Sequence, residues 1–138
     1  MKKIIISFFC AVLSSCFAFD TNSEQVVGDV YLFCLDGNIS LDRKHDRSFY
    51  YEIVEPMVYA IWNNDSIVVV KHHPLKEEYG MANEDSTDYY VVLIDKECDE
   101  RGLYNDSVIG PLDSMMLKQS IKELGMKEEN IKFRDVKL

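Results

Sequence analysis

The residue with the most clearly defined chemistry in this sequence is a cysteine that follows an apolar segment near the N-terminus. The four residues Leu13-Ser14-Ser15-Cys16 match the bacterial lipobox, which consists of leucine, two small residues and cysteine. In proteins that carry this motif, the cysteine becomes the first mature residue, and acyl chains are attached to its sulfur and its amine. The motif therefore predicts that Cys16 is lipidated and anchors the protein to a membrane.

The residues before this motif predict export. Lys2 and Lys3 precede an apolar run at residues 4–13, which is the pattern of a secretory signal and is too short to span a bilayer. We expect a lipoprotein signal peptide at residues 1–15, a polar tether at residues 16–27 and a single globular domain at residues 28–138. The alternative is ordinary cleavage after Ala18, which would release a soluble periplasmic or secreted protein.

Cysteine usage leaves one pair in the expected domain. Cys10 lies in the predicted signal peptide and Cys16 is assigned to lipidation. Cys34 and Cys98 remain as an even pair in an exported chain, where disulfides persist. Two interpretations stay open: a bridge between Cys34 and Cys98, or two small buried apolar side chains.

The charge balance excludes one class of partner. The whole chain has a net charge of −9, and removal of the two lysines of the signal peptide lowers the charge of the remainder to −11. A body this acidic repels the phosphates of nucleic acids and the headgroups of anionic lipids. We therefore predict no nucleic-acid partner, and we expect contact with the membrane only through the lipid on Cys16.

Other residue patterns that could support catalysis or metal binding are incomplete. His72 and His73 are adjacent, and neighbours on a strand point to opposite faces, so the pair cannot easily hold one ion. The acidic residues 95–102 lack the glycine and glutamate spacing of an EF-hand. Neither G-x-S-x-G nor H-E-x-x-H occurs. We assign no catalytic residue, no metal ligand and no cofactor.

Apolar and aromatic segments predict antiparallel strands at residues 31–35, 49–54, 58–62, 67–71, 89–95 and 131–134. One helix is predicted, with Asp113 as its N-cap, Leu117 and Ile121 on its apolar face and Gly125 as its C-terminal cap. The pattern predicts an α+β fold, in which a curled antiparallel sheet of about five to six strands carries one C-terminal helix on one face.

Two of the predicted strands are apolar on both faces. Residues 67–70 and residues 89–94 form continuous apolar runs, which indicate burial on both sides. A single short helix covers only one of these sides. The sheet is expected either to curl upon itself or to present a ligand groove or dimer surface there.

Aromatic residues suggest a contact surface. Trp62, Tyr89 and Tyr90 lie on predicted strands, and Tyr79 lies in the long loop at residues 74–88. Together they are candidates for an aromatic surface that contacts a glycan or a protein. The alternative is that these rings are ordinary half-buried sheet residues.

Two segments resemble a known family. YYVVLID at residues 89–95 and VIGPLDSMMLKQSIKELGM at residues 108–126 are similar to an uncharacterised family of small bacterial secreted proteins and lipoproteins, classed as a domain of unknown function. The shared positions are Ile94-Asp95, Gly110-Pro111-Leu112 and Leu124-Gly125. The resemblance extends over most of residues 28–136. It implies an exported, lipoprotein-like domain and carries over no catalytic residue.

These observations lead to one functional expectation and two alternatives. We expect a lipid-anchored protein of the bacterial cell envelope whose domain binds another molecule without catalysis. The alternatives are a small secreted or periplasmic enzyme of hydrolase type and an assembly subunit that pairs through a sheet face.

Overall fold

The computed structural model describes residues 21–45, 49–76 and 80–138, and the fold of these residues is mostly β. It contains nine strands, one α-helix and one short 3-10 helix. The strands are β1 (Thr21–Val27), β2 (Val30–Leu35), β3 (Asn38–His45), β4 (Phe49–Val54), β5 (Val58–Asn63), β6 (Ile67–His72), β7 (Asp88–Leu93), β8 (Ser107–Leu112) and β9 (Arg134–Asp135). The α-helix α1 spans Ser114–Glu123, and the 3-10 helix spans Glu128–Asn130.

The strands form two antiparallel sheets. The N-terminal sheet has the order β1-β2-β3-β4, so each strand pairs with the next along the chain. The turn between β2 and β3 places Asp36 and Gly37 at positive φ, which these two residue types tolerate well. The C-terminal sheet has the order β8-β7-β6-β5-β9, with β9 added at its edge by pairing with β5.

Two apolar clusters connect three layers. The first cluster lies between the sheets and includes Leu32 and Leu41 from the N-terminal sheet together with Ile61 and Val68 from the C-terminal sheet. The second lies on the opposite face of the C-terminal sheet, where Leu117 and other helix residues pack on it. The predicted burial of β6 and β7 on both faces is therefore confirmed. The second cover is the N-terminal sheet, so neither the predicted curling nor an open groove is needed there.

The helix begins and ends as its sequence indicates. A carboxylate oxygen of Asp113 accepts a hydrogen bond from the Met116 N–H at 2.8 Å, which satisfies one of the free donors of the first turn. At the other end, the Met126 N–H donates to the Ile121 carbonyl at 3.0 Å, and Gly125 adopts a φ of 72°. This is the Schellman arrangement, in which glycine provides the left-handed conformation.

The predicted fold class is correct in its antiparallel pairing and its C-terminal helix, and it is wrong in the number and arrangement of strands. The single curled sheet of five to six strands is replaced by two sheets of four and five strands. Thr21–Val27, predicted as part of the tether, is strand β1 and pairs with β2. Asn38–His45 and Ser107–Leu112 are further strands that the sequence pattern did not indicate. The final strand is shorter than predicted and is limited to Arg134–Asp135.

Within the part of the chain that the structure describes, no helix combines the length and the apolar character that crossing a bilayer requires.

Candidate functional site

The face of the N-terminal sheet that points away from the C-terminal sheet carries an aromatic surface. Because Leu32 and Leu41 are paired and buried in the core, their strand neighbours project to the opposite side. We call this side the outer face and define it by the residues whose side chains occupy it: Tyr31 and Phe33 on β2, Ser40, Asp42 and Lys44 on β3, and Tyr50 and Glu52 on β4.

Three aromatic rings cover the central strand of the outer face. The ring centroid of Tyr50 lies 5.5 Å from that of Tyr31 and 5.3 Å from that of Phe33. Tyr50 belongs to β4 and the other two rings to β2, so their contact passes over β3, which lies between those strands. Ser40 and Asp42 on β3 are consequently only 6% and 7% exposed.

Asp42 is an acid buried without a full set of partners. Its Oδ1 atom has no hydrogen-bond partner. Burial raises the pKa of the Asp42 carboxyl above its ordinary value of 3.8, and the neighbouring Ser40 hydroxyl only partly opposes this change. The pKa of Glu52, which pairs with Asp42 across β3 and β4, is also raised, first by burial and then by the charge of Asp42. The two acids therefore disfavour each other's ionised forms.

This environment predicts that Asp42 destabilises the fold once it is ionised. A raised pKa means that the folded protein binds the proton more tightly than the unfolded chain does. The contribution of the Asp42 carboxyl to the free energy of unfolding is therefore fully present below pH 3.8, and it is lost as the pH rises through the raised pKa. We expect Asp42→Asn to increase the free energy of unfolding at pH 7 by about 1–2 kcal/mol, because the ionised acceptor is no longer buried without a partner. Urea unfolding measures this value.

The control for this prediction is Glu129→Gln, which makes the same charge change at an exposed position. The gain from Asp42→Asn is expected to shrink between pH 7 and pH 3, where the wild-type carboxyl is protonated, and Glu129→Gln should show a smaller change over this range. A gain that does not depend on pH, or a loss of stability at pH 7, would contradict the argument.

A second polar cluster joins the two sheets at one end. Arg43 projects toward the core and is 2% exposed. Its Nε donates to Asp106 Oδ2 at 2.9 Å, its Nη2 forms an ion pair with Asp106 Oδ1, and the same nitrogen donates to the Asp95 carbonyl at 2.7 Å. The Asp95 N–H also donates to Asp106 Oδ1 at 2.7 Å. The Arg43 guanidinium thus fastens the loop between β7 and β8 to the N-terminal sheet.

Tyr104 completes this cluster from the same loop. Its ring centroid lies 3.7 Å from the guanidinium carbon of Arg43, and its hydroxyl donates to Asp29 at 2.9 Å. The bond to Asp29 raises the pKa of the Tyr104 hydroxyl. A cavity of about 250 Å³ adjoins these residues. Arg43, Asp29 and Asp95 beside it already form hydrogen bonds with other residues of the chain, so the cluster has the character of a structural joint.

A third cluster surrounds a histidine in the core. The His72 ring is fully buried, and its Nε2 lies 2.8 Å from the Pro56 carbonyl oxygen, to which it donates. The Tyr90 ring lies edge-on to His72, and its hydroxyl donates to Glu55 at 3.4 Å. Burial and the charge of Glu55 raise the pKa of Tyr90 to about 12. His73 has different partners, because its Nδ1 lies 3.0 Å from the Ser86 carbonyl oxygen.

Three of the predicted aromatic contact residues, Trp62, Tyr89 and Tyr90, are among the described residues, and these three do not share one surface. Trp62 and Tyr89 are partly buried on the helix side of the C-terminal sheet. Tyr90 points to the other side, into the core between the sheets, and is 9% exposed. Tyr79 and the predicted lipidation residue Cys16 lie outside the described residues.

Both cysteines of the described domain are free in the structure. Cys34 is buried on β2, four residues from Val30, which is about 13 Å along a strand. Cys98 is exposed in the loop that contacts the Val30 end of the sheet through the bond from Tyr104 to Asp29. The structure therefore differs from the bridge interpretation, and the small buried apolar role fits Cys34 alone.

Among residues 21–45, 49–76 and 80–138, no group of three or more His, Cys, Asp or Glu residues is arranged to hold a metal ion. The polar side chains that the described structure does gather serve mainly to join elements, as in the Arg43 and His72 clusters. Buried polar atoms without a hydrogen-bond partner occur on four described residues, Asp42, His45, Tyr51 and His72. Asp42 differs from the other three because its unpartnered atom belongs to an acid on the outer face of the N-terminal sheet.

The outer face is not apparent from the sequence. Tyr31 and Phe33 were assigned to a strand, but their contact with Tyr50 depends on β3 lying between β2 and β4. The available signal was the segment LDRKH at residues 41–45, where alternate residues reach opposite faces of a strand. Its high charge made a loop the more natural prediction.

Comparison with known proteins adds one finding. No curated protein and no solved structure shows significant similarity to this chain. A family model described as "Protein of unknown function (DUF3997)" matches residues 27–137, which include the two sheets from the end of β1 onward and the helix. The match confirms the resemblance identified from the sequence. The chain belongs to the DUF3997 family of proteins of unknown function.

Proposed function

We propose that this protein is a lipid-anchored binding domain of the bacterial cell envelope, which acts without catalysis and binds a partner through its outer face. The observation that carries the proposal is the Asp42 carboxylate, whose Oδ1 is buried and has no partner within the chain, on the sheet face where Tyr31, Phe33 and Tyr50 meet. A binding residue of this kind is retained at the expense of stability, which is typical of functional sites.

Binding is favoured over hydrolysis by the state of the other polar clusters. Hydrolysis by a nucleophile requires a hydroxyl or thiol within hydrogen-bond reach of a base. The His72 ring uses its Nε2 on a backbone carbonyl, and His73 uses its Nδ1 in the same way. In the described part of the chain, neither histidine is hydrogen-bonded to a serine hydroxyl or a cysteine thiol.

The lipobox at Cys16 supports the anchored location. Strand β1 begins at Thr21, so four residues, 17–20, separate it from the proposed lipid on Cys16. The five Cα-to-Cα steps from residue 16 to residue 21 span at most about 18 Å when fully extended. With Cys16 acylated, the domain would lie close to the membrane surface, and its partner would be a component of the envelope that comes within this distance.

Photocrosslinking in cells tests both parts of the proposal. We expect a photoreactive residue in place of Ser23, which is exposed and paired with Phe33, to form a covalent adduct with a specific partner in the membrane fraction. Ser107, exposed on the edge strand β8 of the other sheet, provides the matched control position and should give no such adduct. Cys16→Ser should release the protein from the membrane fraction.

Two results would contradict the proposal. If Ser23 gives no adduct beyond that of Ser107, the outer face does not bind a partner in the cell envelope. If the Cys16→Ser protein remains in the membrane fraction as the unsubstituted protein does, the thiol is not the anchor. Intact mass of the purified native protein then shows whether cleavage follows Ala18.

A further inference from the structure

We infer that the outer face binds the primary ammonium group of a lysine side chain on a partner protein, with Asp42 as its acceptor. This inference rests on the proposed binding function and names the chemistry that the face recognises. Four features of the face support it: the unsatisfied carboxylate, the second acid beside it, the aromatic rings above it and the broad, open form of the sheet.

The carboxylates define the charge of the ligand. Asp42 Oδ1 lacks a hydrogen-bond partner, and Glu52 stands directly opposite Asp42 on the neighbouring strand. Each acid raises the energy of the other's ionised form, so a positive charge placed between them is favourable to both. Lys44 lies two residues from Asp42 on the same face, but it donates no hydrogen bond to Oδ1. The two carboxylates therefore lack a cation, which a molecule outside the chain would supply.

The aromatic rings favour a cation that carries an alkyl chain. Tyr31, Phe33 and Tyr50 lie on the same face of the sheet as Asp42, and the ring centroids are 5.3–5.5 Å apart in the two contacts that Tyr50 makes. A cation within about 6 Å of such rings is attracted by their quadrupoles, and the methylene groups of lysine pack against their apolar surfaces. Entry of the ammonium requires Tyr50, on the edge strand β4, to swing away from β2.

The hydrogen-bonding capacity of Asp42 distinguishes between kinds of cation. A buried carboxylate oxygen without a partner is satisfied by an N–H donor, which a primary ammonium supplies and a quaternary ammonium does not. A guanidinium presents two parallel donors and is suited to both oxygens of an accessible carboxylate. Only Oδ1 of Asp42 is buried and unsatisfied, so the compact ammonium of lysine fits better.

The form of the surface favours a protein as the source of the ammonium. The site lies on the open face of a four-stranded sheet, with the exposed residues Ser23 and Gln25 beside the rings. Small ligands are usually enclosed in concave pockets, whereas open faces with aromatic centres and polar rims suit protein partners. The negative charge of the chain, −9 overall, also favours a basic partner and speeds its approach.

A titration with short peptides tests this inference in the purified full-length protein. The probe is a pentapeptide with blocked ends, four glycines and a central lysine. Its two counterparts carry an acetylated lysine, which removes the charge, and a trimethylated lysine, which keeps the charge but removes the N–H donors. Backbone amide shifts of Tyr31, Asp42 and Tyr50, measured by NMR, report binding at the outer face.

The expected order of affinity is lysine, then trimethyllysine at least tenfold weaker, then acetyllysine with no saturable shifts. Asp42→Asn should weaken lysine binding at least tenfold. Glu129→Gln, which removes one negative charge elsewhere, should change it less than twofold. Equal binding of the acetylated peptide, tighter binding of the trimethylated peptide, or unchanged binding by a folded Asp42→Asn protein would overturn the inference.

The outcomes separate this inference from the proposed function. A Ser23 adduct in cells together with no lysine-dependent shifts would retain the binding function and overturn the ammonium assignment. Lysine-dependent shifts without any Ser23 adduct would retain the ammonium site and overturn the envelope-binding proposal.

Discussion

Asp106→Asn is expected to lower the free energy of unfolding by about 3–5 kcal/mol, because it breaks a buried ion pair and leaves the Arg43 charge without compensation. Arg43 and Asp106 have side chains that are 2% and 6% exposed. Both Asp106 oxygens accept bonds from Arg43, and Oδ1 also accepts the Asp95 N–H. The asparagine side chain keeps one acceptor oxygen. Its NH2 group, however, turns two N–H donors toward the Arg43 guanidinium, which can only donate hydrogen bonds. Chemical unfolding followed by circular dichroism measures the loss.

The matched control lies in the same loop. Asp99 forms an ion pair with Arg101, but their side chains are 41% and 78% exposed, and the pair is screened by solvent. Asparagine at position 99 keeps the Oδ1 acceptor for the N–H groups of Arg101 and Leu103. Its effect is expected to be small beside that of Asp106→Asn. Similar losses from both substitutions would show that the buried pair does not hold the loop.

A double substitution separates charge from packing at this joint. Arg43→Met combined with Asp106→Leu removes both charges and leaves apolar side chains in a site that is already nearly closed to solvent. Replacement of a complete buried pair is far less damaging than removal of one partner. The double variant should therefore be more stable than Asp106→Asn alone, which identifies the uncompensated charge as the cause of the loss.

The central strands were predictable because their residues are apolar on both faces. Residues 67–70 and 89–94 required two covering layers, and the structure supplies the helix on one side and the N-terminal sheet on the other. The second sheet was not predictable from the same reasoning. Its central strand β3 contains Asp42, Arg43 and Lys44, and such a charged run is typical of a solvent-exposed loop.

The reason that β3 exists lies in contacts between distant parts of the chain. Arg43 is buried because Asp106, 63 residues later, neutralises its charge. Asp42 is buried because Tyr50 reaches over β3 to the rings on β2. Neither partner is adjacent in sequence, so no local pattern reveals that these charges can be removed from water. The candidate site depends on the same contacts, and only strand order and register disclose it.

Strand β8 is a second element that the local sequence pattern does not reveal. Proline has no backbone N–H and restricts the residue before it, so a Gly110-Pro111 pair is not expected inside a paired strand. In the structure the strand continues through both residues to Leu112, which pairs with Tyr89. Leu112 is buried against the helix side of the sheet. The pairing register between β7 and β8 shifts between Tyr89 and Val91, at the position that faces Gly110.

Gly110→Ala is expected to lower the free energy of unfolding by about 2–5 kcal/mol, from backbone strain and overpacking together. Gly110 has a φ of 150°, which residues other than glycine rarely adopt. A Cβ atom there would lie 2.6 Å from Cδ1 of Tyr90 and 2.8 Å from the Tyr89 carbonyl oxygen. The ring cannot simply move away, because Tyr90 is buried between the sheets and packs edge-on against His72.

Gly28→Ala separates the two causes of this loss. Gly28 also has a positive φ, 52°, but no atom lies within 4 Å of the Cβ that alanine would add. Its loss should be about 1 kcal/mol, the cost of the left-handed conformation alone. The excess for Gly110→Ala then measures the collision with Tyr90 and the Tyr89 backbone. Equal losses at the two glycines in urea unfolding would show that β7 and β8 can separate freely at this point, and that Gly110 is needed for its backbone conformation and not for close packing.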